Sequence, residues 1–332
     1  MTWQTVDYHT AGEPFRIVTG GAPPLPGATV AERRARAITD PDAQRVRQLL
    51  CQEPRGHADM YGGFLVPPDD DGAHLGVLFW HKDGFSTACG HGTIALATWA
   101  VETALVPRTA DGPTEVVVDV PSGRVRALVR SEGERVVEAT FVNVPSWVRS
   151  RGVEVVTSRG TVRVDVAFGG AMYAVLPASD VGLDVAPSDY ADLIALGRQI
   201  RDDLNARHAA EHPEDPRLSG IYGTIFTAPG EHPLHQRNCT VFADGEVDRS
   251  PCGSGTAARV ALLADDGTLG EGEVLLHDSI VGTRFEARVQ ARTVVHGRPA
   301  VVPAVTGSAY RVATCEFTVD PHDPVVPGFV LR

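Results

Sequence analysis

The chain is short of lysine, of export or anchoring signals and of long apolar runs. Lys82 is the only lysine among 332 residues. A pyridoxal-phosphate enzyme forms its Schiff base on a lysine, so that class would depend on one residue in a turn-like H-K-D-G stretch. No apolar run approaches the ~18 residues of a membrane span, and the first residues lack the basic and apolar parts of a signal peptide. We therefore expect a cytoplasmic protein that does not bind membranes.

Positive charge and paired cysteines are also scarce. The 30 lysines and arginines are outnumbered by 42 aspartates and glutamates, which gives a net charge of −12. A nucleic-acid binder normally presents a basic face, so the composition argues against that class. The five cysteines are an odd number and form no C-x-x-C pair or zinc-ligand cluster, so the spacing predicts no metal site. Reduced thiols are the default without an export signal.

What the sequence does contain is one seven-residue pattern that occurs twice. Residues 89–95 read C-G-H-G-T-I-A and residues 252–258 read C-G-S-G-T-A-A. Both copies fit C-G-x-G-T-x-A, with a cysteine at the head. An apolar stretch also precedes each cysteine at the same distance. The repeat predicts a chain built from two related halves.

The apolar patterning predicts a mixed α/β architecture. Short apolar runs between turn residues indicate many strands and few helices, unlike a doubly wound sheet. The segments 93–101 and 256–264 are apolar on nearly every side, which is typical of buried helices. We expect two similar halves, 1–145 and 146–309, each with strands around one buried helix. A final strand within about 310–332 is expected to return to the first half.

The repeated motif places a cysteine at the start of each buried helix. A helix N-terminus has unpaired backbone N–H groups and a partial positive charge, and both stabilise a thiolate. The same N–H groups can hold a carboxylate, and the adjacent glycines let it approach closely. Two such thiols facing each other could remove an α-proton from one face of an amino acid and return one to the other. The motif therefore predicts Cys89 and Cys252 as the two bases of a cofactor-free racemase.

Other interpretations remain open at this point. Both motifs also fit a loose dinucleotide fingerprint, G-x-G-x-x-A, although no regular βαβ context accompanies them. Each thiol could be a small buried residue, and the two could form a redox pair. His91 fits a structural role in a glycine turn as well as contact with a substrate. Asp248 fits a capping role as well as an ion pair with a substrate's ammonium or iminium nitrogen.

The motifs resemble those of the proline racemase family. The resemblance is carried by A-C-G-H-G at 88–92, D-R-S-P-C-G-S-G at 248–255, D-Y-H-T-A-G-E-P at 7–14 and E-P-R-G-H at 53–57. These stretches span most of the chain. The resemblance implies the fold shared with diaminopimelate epimerase. In that fold two pseudo-symmetric α/β halves each wrap strands around a central helix, and the active site lies in the cleft between them.

The resemblance also implies a role for each motif residue. Cys89 and Cys252 are the acid–base thiols, and Asp248 binds the ring nitrogen of the substrate. The remaining substrate contacts are made by Gly90, His91, Gly253 and Ser254. Most of these contacts are backbone N–H groups that hold the substrate carboxylate. The partner is a small imino acid, no metal and no organic cofactor are implied, and a homodimer is suggested.

The family has three main activities: proline racemase, 4-hydroxyproline 2-epimerase and trans-3-hydroxy-L-proline dehydratase. The residue at position 252 separates the dehydratases from the other two. The trans-3-hydroxy-L-proline dehydratases typically carry threonine where this chain has Cys252, because one base suffices when a 3-hydroxyl leaves. Cys252 therefore favours an isomerase that inverts the α-carbon of proline or 4-hydroxyproline. The residues at 53–61, 221–225 and 241–244 resemble the dehydratase-type branch, and Gly223 stands near a histidine position of the 4-hydroxyproline epimerases. The alternative is accordingly a trans-3-hydroxy-L-proline dehydratase, a hydro-lyase.

Overall fold

The computed structural model describes residues 2–331. This range contains 18 β-strands and five α-helices, as the many short apolar runs predict. The chain divides into two compact units, one of Met1–Ala139 with Ser308–Arg332 and one of Thr140–Gly307. Assigning these units as two epimerase-like halves remains a proposal. Within the described range no helix is long and apolar enough to cross a membrane.

The elements follow one another in a simple order along the chain. The first stretch contains β1 Thr2–Thr10, β2 Glu13–Gly20, α1 Val30–Thr39, α2 Pro41–Cys51, β3 Gly62–Val66, β4 Leu75–His81, β5 Gly84–Phe85, α3 Gly90–Glu102, β6 Thr114–Val120, β7 Gly123–Glu132 and β8 Arg135–Val142. The second contains β9 Trp147–Thr157, β10 Gly160–Phe168, β11 Met172–Pro177, α4 Tyr190–Ala206, β12 Ile221–Pro229, β13 His235–Phe242, β14 Glu246–Val247, α5 Gly253–Asp265, β15 Leu275–Ser279, β16 Arg284–Val295, β17 Arg298–Gly307 and β18 Ala309–Thr318.

Helix α3 is the centre of the first unit. Its sequence has no polar face, so it is stable only when covered on all sides. Strands β1, β2, β6, β7 and β18 contact it. The last strand, β18, pairs antiparallel with β1, which in turn pairs antiparallel with β2. Helices α1 and α2 pack on the other side of β4 and close a second apolar layer with Phe64 and Trp80.

Helix α5 has the same place in the second unit. Strands β9, β10, β11, β16 and β17 contact it, and 11 of its residues are buried, which confirms the buried helix predicted from its composition. Helix α4 lies outside this layer against β9, β12 and β13. Its buried face consists of Leu193, Leu196, Gly197, Ile200 and Leu204, and its leucines and isoleucine recur every three to four residues. Each unit thus has one central helix whose N-terminus carries a motif cysteine.

Candidate active site

In the first unit the motif forms the N-terminus of α3. Cys89 is the N-cap residue, with extended backbone at φ −155° and ψ 103°. Its Sγ accepts a hydrogen bond from the backbone N–H of Gly92 at 3.2 Å. The Thr93 hydroxyl donates to the carbonyl oxygen of Cys89 at 2.8 Å and fixes the turn. The thiol is only 5% exposed, so a buried sulfur is held against a donor that favours its thiolate form.

His91 is enclosed beside this sulfur. Its ring nitrogens lie 3.5 Å from Cys89 Sγ, and the rings of Phe15 and Tyr61 stand edge-on to it at 5.9 and 5.0 Å. The Thr10 hydroxyl donates to the carbonyl oxygen of His91 at 2.9 Å. Burial lowers the pKa of His91 to about 3. The imidazole is therefore neutral near pH 7 and acts as a hydrogen-bonding group rather than a cation.

In the second unit the equivalent cysteine has a different backbone. Cys252 is the N-cap residue of α5 at φ +63° and ψ 103°, a region that non-glycine residues avoid and that persists only where the surroundings impose it. Its backbone N–H donates to Ser250 Oγ at 3.1 Å. Ser250 in turn donates to Asp248 Oδ1 through its hydroxyl at 2.6 Å and its backbone N–H at 2.8 Å. The strained cysteine is thereby tied to a buried carboxylate.

A second chain of hydrogen bonds holds the other side of the same peptide. Thr256 Oγ1 lies 3.0 Å from the carbonyl oxygen of Pro251 and 2.8 Å from Nδ1 of His277. The carbonyl can only accept, so the threonine hydroxyl donates to it and accepts from Nδ1–H. Burial lowers the pKa of His277 to about 3, which keeps the ring neutral for this role. The positive φ of Cys252 is therefore fixed from both flanks.

Burial raises the pKa of both titratable groups of this loop. Burial raises the pKa of the Asp248 carboxyl to about 6, against the hydrogen bonds from Ser250. Burial and, next, the Asp248 charge raise the pKa of the Cys252 thiol well above its usual range. At neutral pH Cys252 is accordingly a thiol beside an ionised carboxylate. Such a group is suited to donate a proton before it accepts one.

The glycines of both motifs allow this close packing. Gly90 and Gly253 are the first residues of their helices, and their backbone N–H groups belong to the unpaired first turn. A Cβ on Gly92 would lie 2.7 Å from Cys89 Sγ, and a Cβ on Gly255 would lie 3.0 Å from Cys252 Sγ. A side chain at Gly92 would therefore displace the Cys89 thiol or the Phe15 ring, and one at Gly255 would crowd the Cys252 thiol.

The structure gathers the predicted residues into two groups. One group, at the start of α3, consists of Cys89, Gly90 and His91. The other group, at the start of α5, consists of Asp248, Cys252, Gly253 and Ser254. Each group lies within one unit. That the two thiols act on one substrate from opposite faces is part of the proposal below.

Two residues beside the second group are not predicted from the sequence. Tyr173 on β11 places its Oη 2.7 Å from Ser254 Oγ and 3.8 Å from Cys252 Sγ, and His277 supports Thr256 from β15. The glycine pair at 169–170 is the one signal near Tyr173, because a Cβ on Gly169 would overlap the backbone of α5. Close approach explains the glycine, but it does not identify the tyrosine.

Comparison with known proteins finds relatives along almost the whole chain. A sequence model of the proline racemase family matches residues 5–330. A 3-hydroxyproline 2-epimerase of Burkholderia multivorans is 48% identical over 330 residues, covering 99% of this chain and 98% of the relative. A trans-3-hydroxy-L-proline dehydratase of Burkholderia ambifaria is 47% identical over the same shares.

The fold of this chain is also similar to that of a solved structure. The crystal structure of a hydroxyproline epimerase from Agrobacterium vitis, with bound trans-4-hydroxy-L-proline, matches with a TM-score of 0.94. It is 31% identical, and the match covers 99% of this chain and 95% of that one. The predicted fold class, a mixed α/β fold of the diaminopimelate epimerase type, is confirmed. With this match along almost its whole length, the chain belongs to the proline racemase family, whose members are epimerases or dehydratases.

Proposed function

We propose that this enzyme inverts the α-carbon of a proline-type imino acid by proton transfer between two cysteines, without a cofactor. The observation that carries the proposal is a thiol at the N-terminus of each central helix, at Cys89 and at Cys252. A dehydratase needs one base, whereas inversion needs a group to accept a proton on one face and a group to donate on the other. Both helix starts here supply such a group.

In this proposal the order of events follows from the Gly92 hydrogen bond to Cys89 and from the raised pKa of the Cys252 thiol. Cys89 Sγ, held by the Gly92 N–H, is the base that takes the α-proton as a new S–H bond. The electron pair of the broken C–H bond moves into the substrate carboxylate, where backbone N–H groups of the helix N-termini stabilise the charge. Cys252, a thiol in the free enzyme, gives its proton to the opposite face of the α-carbon and becomes the thiolate. The reverse reaction uses the two groups in exchanged roles.

Asp248 supplies the contact for the ring nitrogen in this proposal. It is buried at 3% exposure and is held by Ser250 rather than by solvent. A secondary ammonium group placed beside it would keep the carboxylate ionised. The first-turn N–H groups of Gly90, Gly253 and Ser254 then serve the carboxylate end of the substrate, and neutral His91 offers a further hydrogen bond near it.

The choice of ring follows from the relatives. The epimerase at 48% identity is named for 3-hydroxyproline, whereas the sequence alone indicates proline or 4-hydroxyproline. We take trans-3-hydroxy-L-proline as the first substrate to test, followed by L-proline and trans-4-hydroxy-L-proline. The dehydratase names at 47% and 46% identity support a second candidate. In that reaction the same deprotonation by Cys89 is followed by loss of the 3-hydroxyl as water.

Proton NMR in D₂O with each of the three imino acids separates these outcomes. We expect the α-proton signal to disappear while the C2-inverted product accumulates. For a hydroxyproline this is a distinct epimer, cis-3-hydroxy-D-proline in the first case, and for L-proline the D-enantiomer is detected by optical rotation. A pyrroline product with loss of ring signals would identify the dehydratase. Absence of exchange with all three compounds would reject the proposal.

The matched variant is Cys252→Ser, which keeps the size and most of the polarity of the side chain. Epimerisation should fall by at least about a hundredfold, because general acid–base groups typically contribute that much. Dehydration, which needs Cys89 alone, should survive. Full epimerase activity in Cys252→Ser would contradict the two-thiol mechanism.

A further inference from the structure

Tyr173 shares one hydroxyl between two acceptors at the start of α5. Its side chain is fully buried on β11. Its Oη lies 2.7 Å from Ser254 Oγ and 3.8 Å from Cys252 Sγ. A phenol carries one proton to donate, so it can serve only one of these atoms at a time. Which one it serves depends on which atom is the stronger acceptor.

We propose that Tyr173 is a catalytic residue that donates its hydrogen bond to Cys252 when the sulfur is a thiolate and to Ser254 when it is a thiol. The assignment rests on the proposed function for the role of Cys252 in turnover. A hydrogen bond to an ionised acceptor is roughly twice as strong as one between neutral groups. Proton loss from Cys252 therefore draws the phenolic O–H from serine to sulfur, and only the hydroxyl hydrogen has to rotate.

The surroundings hold the phenol ring in place for this exchange. Tyr173 lies on a middle strand, opposite Ala167 of β10 and Gly223 of β12. Its ring stands edge-on to that of Tyr222 with the centroids 6.0 Å apart. Its apolar neighbours in the same buried cluster include Ile225 and Leu262. A ring fixed in this way keeps Oη near both acceptors while the proton moves.

Tyr173 also stabilises the Cys252 thiolate against the charge of Asp248. Within the second unit, the titratable groups beside the Cys252 thiol include Asp248 and Tyr173. The Asp248 charge opposes a thiolate, and the tyrosine hydroxyl favours one. Burial raises the pKa of Tyr173 well above its usual 10, so the phenol remains a donor at neutral pH. Tyr173 thus offsets part of the penalty that Asp248 imposes on Cys252.

The test measures the thiolate of Cys252 directly. Wild type, Tyr173→Phe, Ser254→Ala and the control Tyr190→Phe are labelled with iodoacetamide across a pH series, and the Cys252 peptide is quantified by mass spectrometry. Tyr173→Phe should slow labelling about tenfold at a fixed pH below the midpoint, because a hydrogen bond to a charged group is lost. Ser254→Ala should speed it, because the competing acceptor is gone. Tyr190→Phe should follow wild type.

Turnover gives the second readout. Tyr173→Phe should lower kcat about tenfold in the direction in which Cys252 removes the proton, with little change in KM. An unchanged labelling profile in Tyr173→Phe, or a slowing in Ser254→Ala, would overturn the proposal. Labelling needs no substrate. If none of the imino acids is turned over, the proposed function fails while the labelling series still decides whether Tyr173 stabilises the thiolate.

Discussion

Replacing Asp248 with asparagine tests the electrostatics of the site through folding stability. The substitution keeps the shape of the side chain and an oxygen that can accept the bonds from Ser250. It removes the charge that the protein has to bury. The expected effect is therefore a change in how stability depends on pH, and not simply a loss of contacts.

The direction follows from the two pKa values of this carboxyl. Burial raises its pKa from 3.8 to about 6 on folding. A group whose folded-state pKa is raised stabilises the fold fully below the unfolded pKa, and this contribution is lost as pH rises through about 6. At about 1.4 kcal/mol per pKa unit, the full loss is about 3 kcal/mol. About 2 kcal/mol of it falls between about pH 4.5 and about pH 7.5.

The assay is urea unfolding of wild type and Asp248→Asn at several pH values across this window. The free energy of unfolding of the variant minus that of wild type should rise by about 2 kcal/mol between about pH 4.5 and about pH 7.5. Asp180→Asn, an exposed carboxylate in the same unit, serves as the control and should run parallel to wild type. Parallel curves for Asp248→Asn as well would refute the conclusion that this buried carboxyl ionises within the window.

Two further substitutions probe the first unit. Gly92→Ala would place a Cβ 2.7 Å from Cys89 Sγ and 2.5 Å from the Phe15 ring; we expect kcat/KM to fall at least tenfold and the free energy of unfolding to drop by about 1–3 kcal/mol, as for other overpacked sites. Unaltered kinetics would show that the thiol does not need its observed position. Tyr8→Phe removes the 2.6 Å hydrogen bond to Glu102 at the far end of α3; urea unfolding should show a loss of about 1 kcal/mol with kcat unchanged, and a fall in kcat would mean that this bond affects the site.

The parts of the structure that the sequence predicts are those that depend on local pattern. The segment 256–264 is apolar on nearly every side, which requires a buried helix wherever it lies in the fold. The repeated C-G-x-G-T then places a cysteine at the helix start, where the structure has it. The alternating pattern near residue 310 likewise predicts a strand, which the structure has at Ala309–Thr318.

The parts that the sequence does not predict depend on contacts between distant positions. Tyr173 precedes Cys252 by 79 residues and reaches it only because β11 pairs in parallel with β12 beside α5. His277 reaches Thr256 from a separate strand. The left-handed backbone of Cys252 is equally hidden, since the first copy of the motif has an extended cysteine. Identical motif letters therefore do not imply identical conformations.

In the proposed two-thiol mechanism, that difference between the two cysteines has a kinetic consequence. Detailed balance requires equal kcat/KM values for two enantiomers, so with proline any inequality of the thiols cancels from that ratio. The inequality would instead appear in kcat and KM taken separately, and in unequal primary deuterium isotope effects for the two directions. For C2-epimers of a hydroxyproline, which differ in free energy, the ratio of the two kcat/KM values equals an equilibrium constant different from one, and the inequality of the thiols cancels from it in the same way. A protein with an internal repeat can in this way have a higher kcat in one direction, although the same sequence motif serves both faces of the α-carbon.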